Sequence, residues 1–211
     1  MWRNQNEQIE FFKGPLGQLE GAIASPMNAP KGILIIGHPD PVQEGTCDNK
    51  VVTTLSRAAV YCGWIAVRFN FHGVGQSDGP FKDTMHASED MQAIIRHMRS
   101  AKPHLPMGLA GFSFGSYIAA HCAQQIDCAG LILIAPPVER FAFDQCVIPA
   151  HHTLVVQGLK DEVVSPQAVI DWCQQASQIH LKKFATAGHF FHGDLLTLRD
   201  CCQNFIHQTM S

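Results

Sequence analysis

Short continuous apolar runs alternate along this chain with longer stretches in which apolar residues recur every three or four positions. Ile33-Leu34-Ile35-Ile36, the run from Trp64 to Phe71, Met107 to Phe112, Ala129 to Ala135 and Thr153 to Gly158 are the short runs. Each is the length of a strand, and the runs beginning at Ile33 and Ala129 are apolar throughout, as expected of strands covered on both faces. His180-Leu181-Lys182-Lys183-Phe184 is shorter and more polar, which suits a position near a sheet edge. Between the runs lie helical patterns. Val51, Val52, Leu55, Ala58, Ala59 and Cys62 keep a 3.6-residue period after Asp48, which suits an N-cap. Ala87, Met91, Ile94, Ile95 and Met98 do the same between Asp83 and Ser100. Further helices are expected from Ser113 to Gln125, from Ser165 to about Ser177 with Pro166 at its first position, and from about Asp194. Residues 8–24 read as an antiparallel hairpin around Gly14-Pro15-Leu16-Gly17.

Strands alternating with helices imply right-handed crossovers and an α/β architecture. The expectation is a mostly parallel sheet of about seven or eight strands with helices on both faces, spanning 1–211 as one domain. Ligands of such sheets sit beyond the carboxyl ends of the strands, where this chain places its polar, glycine-rich loops.

Composition narrows the classes of function. The chain has 211 residues, 46% hydrophobic and 16% charged, with a net charge of −3. It carries no basic stripe, so nucleic acid is not an expected partner. Its polar start and the absence of a long apolar run argue against a signal peptide and a membrane span. The eight cysteines contain no C-x-x-C, and several fall on apolar helix faces, as free thiols of a cytoplasmic protein would. The twelve histidines show no metal-ligand spacing, and Gly73-Val74-Gly75 lacks the further residues of a phosphate loop. Neither a metal nor a cofactor is expected.

One stretch carries chemistry. Gly111-Phe112-Ser113-Phe114-Gly115 is G-x-S-x-G between a strand and a helix, a turn that would hold a serine hydroxyl above the sheet. The five letters alone would arise by chance in roughly one chain in fifteen of this composition. A serine also needs a base, an orienting carboxylate and donors for an oxyanion. His189, in Gly188-His189-Phe190-Phe191-His192 after the last strand, is the candidate base, with His192 its rival. Asp161, after the preceding strand, is the candidate acid. Glu139 is a rival, Glu162 reads as a solvated charge, and Asp161 could instead serve only an Asx-turn. The oxyanion donors would be the N–H of Phe114 and that of Asp40. In His38-Pro39-Asp40-Pro41 the prolines have none, and the Asp40 carboxylate should turn away from the oxyanion. The alternative is that His38 and its prolines serve only to shape the loop.

The order Ser113, Asp161, His189 is that of the α/β-hydrolase fold, and the chain resembles that superfamily over nearly its whole length. More narrowly it resembles small bacterial α/β hydrolases in Gly45-Thr46-Cys47-Asp48-Asn49-Lys50-Val51-Val52, in Phe69-Asn70-Phe71-His72-Gly73-Val74-Gly75-Gln76-Ser77 and in the two segments around Ser113 and His189. The resemblance implies the fold and the three catalytic roles at the matched positions. His72 departs from it, standing where arginine is expected. Residues 136–152 are too few for a helical lid, so the site should be open. Expected substrates are therefore small soluble esters or thioesters, or accessible acyl groups on larger molecules, rather than long acyl chains. A peptidase or amidase with the same three residues, and a non-catalytic interaction protein on the same scaffold, are the alternatives.

Overall fold

The computed structural model describes residues 7–148, 152–175 and 179–210. Eight strands form one sheet: β1 (Glu7–Gly14), β2 (Gly17–Ala24), β3 (Gly32–Gly37), β4 (Trp64–Phe69), β5 (Met107–Phe112), β6 (Cys128–Ile134), β7 (Thr153–Gly158) and β8 (His180–Phe184). Their order is β1-β2-β4-β3-β5-β6-β7-β8. The β1–β2 hairpin runs antiparallel and is joined to β4, while β4, β3 and β5 to β8 pair in parallel. The four central runs, β3, β4, β5 and β7, are buried at every residue, and β8 lies at the edge.

Five helices cover the faces: α1 (Lys50–Tyr61), α2 (Thr84–Ala101), α3 (Phe114–Ala123), α4 (Pro166–Gln174) and α5 (Leu195–Thr209). Ile35, Met91, Ile94, Leu109, Ile118 and Val169 belong to one core, which joins the sheet to α2, α3 and α4. Leu34, Val52, Leu55, Ala110, Leu198 and Ile206 belong to the other, which joins it to α1 and α5. Burying two such faces is the main stabilising contribution. Among the described residues no helix is long and apolar enough to cross a membrane.

The start of α1 differs slightly from expectation. Asn49, not Asp48, caps α1 by accepting from the Val51 N–H at 2.9 Å. The Asp48 carboxylate instead accepts from Arg68 Nη1 at 2.5 Å, an ionic partner that a cap would forgo. The last helix begins at Leu195 with Asp194 before it, as expected, and His192 and Gly193, the latter in the left-handed region, precede it. The expected end of α4 near Ser177 lies outside the described residues. From 136 to 148 the chain contains a single 3-10 turn, Phe143–Gln145, and no lid.

The chain leaves β3 towards β4 on one side and returns to β5 on the other. In sheets of this kind the ligand-binding crevice lies at such a reversal, here the carboxyl ends of β3 and β5.

Candidate active site

Ser113 sits at that crevice with φ 51° and ψ −119°, a conformation that costs a non-glycine residue roughly 1–3 kcal/mol. The turn is held from both sides. The Ser113 N–H donates to Ile134 O at 2.8 Å, and Ser113 O accepts from the Ser116 N–H at 2.9 Å. The glycines are required by contact. A Cβ on Gly111 would stand 2.1 Å from the Gly115 carbonyl, and one on Gly115 would stand 2.3 Å from Gly37 O. The Ser113 turn therefore lies directly against the end of β3. Phe114 opens α3, so its N–H is one of the first-turn donors that no helical carbonyl satisfies.

Asp161 and His189 meet. His189 Nδ1 donates to Asp161 Oδ2 at 2.9 Å, and both residues are buried. Because an ionised carboxylate can only accept, the Nδ1 of His189 carries the proton and Nε2 is left with its lone pair. Asp161 has three further donors. Gln157 Nε2 reaches Oδ2 at 3.1 Å, and the N–H groups of Val163 and Val164 reach Oδ1 at 2.8 Å each. Burial pushes the Asp161 carboxyl up, but the His189 hydrogen bond, the two backbone donors and the histidine's charge outweigh it and hold it below the ordinary value. The Asx-turn weighed from sequence is thus present on Oδ1, while Oδ2 serves the histidine. The His189 ring packs against Phe112, the residue before Ser113, with centroids 4.9 Å apart. Among the described residues Ser113 Oγ makes no hydrogen bond. In unliganded hydrolases that contact commonly tightens only when substrate binds.

The loop after β3 is fixed by His38. Its Nε2 accepts from the Phe71 N–H at 3.1 Å, so its Nδ1 donates to Pro39 O at 2.7 Å. Burial pushes the imidazole down to about 4, offset only in part by the Pro39 carbonyl. The consequence for stability has a definite sign. Below 6.5 the unfolded chain takes up a proton that the folded chain refuses until about 4, so stability should drop across that window by up to about 3 kcal/mol. Urea midpoints across that range check this. His38→Gln, which keeps one donor and one acceptor, should flatten that part of the curve.

The Asp40 N–H has no protein partner among the described residues. Its carboxylate turns away from it, accepting from the Val42 N–H at 2.9 Å and pairing with Arg140 Nη2 at 2.9 Å. Glu139 and Glu162 are exposed, and exposed His192 stacks on Phe190. His72 is taken up by Asp90, whose carboxylate accepts from both the His72 Nδ1 and its N–H, so the departure from arginine is absorbed in a buried pair. Two contributors escaped the sequence reading. Gln157 supports Asp161, and its one signal is an amide inside an otherwise apolar buried strand. Arg140 pairs with Asp40, and nothing in its sequence surroundings marks it.

This fold, with a strained serine on the β5–α3 turn, is that of an α/β hydrolase, and the chain belongs to the α/β-hydrolase superfamily. It is 35% identical to XC6422 from Xanthomonas campestris, described as an α/β serine hydrolase without lid, over 99% of this chain and 97% of that one, with a TM-score of 0.93. It is 38% identical to an α/β serine hydrolase homologue from Coxiella burnetii, over 97% of this chain and 99% of the other, with a TM-score of 0.88. The uncharacterized protein RP471 of Rickettsia prowazekii is 32% identical over 195 residues, 86% of this chain and 81% of its own length. The family model for serine aminopeptidase, S33, matches residues 49–150, a span that holds Ser113 but neither Asp161 nor His189.

Proposed function

We propose that the chain cleaves small carboxylic esters or thioesters through an acyl-enzyme on Ser113. Ser113 Oγ attacks the carbonyl carbon while His189 Nε2 takes its proton. The tetrahedral oxyanion is received by the N–H groups of Phe114 and Asp40. His189 then delivers the proton to the departing alkoxide or thiolate, and the C–O or C–S bond breaks. Water repeats the sequence on the acyl-enzyme and releases the acid. Asp161 keeps the imidazole in the tautomer that accepts at Nε2 and stabilises it once charged. No cofactor takes part.

The observation that carries this reading is the bond from His189 Nδ1 to a four-donor Asp161, together with a serine held at positive φ whose neighbour Phe112 packs on that histidine. The absence of a lid favours small substrates, since little apolar surface is available to cover a long acyl chain. All eight cysteines are free, which suits work in a reducing cytoplasm.

Hydrolysis of amides is the second reading, favoured by the serine aminopeptidase match. An aminopeptidase must hold the substrate's ammonium group, normally with a carboxylate. The buried carboxylates at these strand ends, Asp40 and Asp161, are already engaged by Arg140 and His189. Rates on p-nitrophenyl acetate should therefore exceed those on aminoacyl anilides by orders of magnitude. Comparable rates on the anilides would move the assignment to a peptidase.

A further inference from the structure

Arg140 lies on the short connection after β6, at the point where larger relatives of this fold would insert a lid. Its guanidinium pairs with Asp40 Oδ2 at 2.9 Å and stacks over Phe141, 5.3 Å from the ring centroid. Phe141 in turn packs on Phe114, with centroids 5.6 Å apart. Arg140 thus bridges the two residues whose N–H groups would receive the oxyanion. The carboxylate it pairs with belongs to one of them and is largely shielded, at 9% side-chain exposure.

A carboxylate on the same residue as an oxyanion donor works against the reaction. The transition state places a negative charge near it, and because the Asp40 side chain is itself shielded from solvent that repulsion is only partly screened. Position 40 nevertheless carries aspartate, and its other oxygen closes the 3-10 turn through the Val42 N–H. The loop keeps the acceptor that shapes it, and something must offset the charge.

We propose that Arg140 is a positioning residue for this reaction: it neutralises the Asp40 carboxylate, so that the Asp40 N–H can stabilise the oxyanion. This rests on the ester-hydrolase reading above. The role belongs to the transition state, because a ground-state carbonyl carries only partial charge. It should therefore appear in kcat and leave KM nearly unchanged. Its contribution to stability should be modest, since Arg140 is 62% exposed and water can reach its side of the pair.

A double-mutant cycle on p-nitrophenyl acetate tests it. Arg140→Ala should lower kcat by about tenfold, with KM and the thermal midpoint nearly unchanged. Arg140→Lys, which keeps the charge, should recover most of the loss. In Asp40→Asn the amide oxygen can still accept from the Val42 N–H while the charge is gone. In that background Arg140→Ala should change kcat less than about twofold, so the pair couples strongly. Equal losses in both backgrounds would overturn the proposal and assign Arg140 a packing role through Phe141. An unchanged kcat in the single variant would overturn it too. A wild type with no ester turnover would overturn the underlying reading as well, whereas an active wild type with an additive cycle sinks this inference alone.

Discussion

Ser113→Ala should eliminate ester turnover, lowering kcat on the order of a millionfold, while the protein folds as before. The substitution removes only Oγ. Alanine keeps the Cβ, so the strained φ of 51° costs the same in both proteins. The N–H of residue 113 still donates to Ile134 O, and Ser116 still closes the first turn on the residue 113 carbonyl. Circular dichroism and the urea midpoint should therefore match those of the wild type. Any residual rate would come from the Phe114 and Asp40 donors acting on substrate attacked by water. Turnover within tenfold of the wild type would mean that another residue is the nucleophile.

Asp161→Asn should be nearly as severe, with a loss in kcat of about ten-thousandfold and little change in KM. The asparagine fits the same space, and its oxygen can still accept from Val163 and Val164. Its amide then faces His189 Nδ1 as a donor. The imidazole must place its proton on Nε2 to accept there, and that removes the lone pair which takes the Ser113 proton. The buried imidazolium also loses its counter-charge. The loss should be specific to chemistry that needs the base, so pre-steady-state acylation should slow as much as steady-state turnover. A loss of tenfold or less would show that His189 keeps its tautomer without Asp161, and Gln157 would be the first place to look for the reason.

The parts of this fold that were readable from sequence are those decided by burial on two faces. β3 and β5, and to a lesser degree β4, β6 and β7, are apolar because helices cover both sides of the sheet. The β1–β2 hairpin announced itself through its turn residues. The hydrogen bond between Asp161 and His189 was foreseeable as well, since each follows a strand directly and β7 and β8 are neighbours. What escaped notice depends on pairs far apart in the chain. Asp40 is singled out for its N–H and not for a partner of its carboxylate, and Arg140 looks like an ordinary surface charge until β3 and β6 are placed on either side of β5. Asp48 looked the better helix cap because the competing partner, Arg68, comes from another strand. His72 looked like a loop residue until α2 brought Asp90 against it. In each case local propensity was outweighed by a charge or hydrogen bond made across the fold.

The central claim is that Ser113 is the nucleophile of an acyl-transfer site. Incubation of the folded protein with a fluorophosphonate probe, followed by peptide mass analysis, tests it most directly. A single adduct on the peptide containing Ser113, absent after Ser113→Ala, is the result expected. An adduct on a different residue, or none on a protein that still hydrolyses esters, would contradict it.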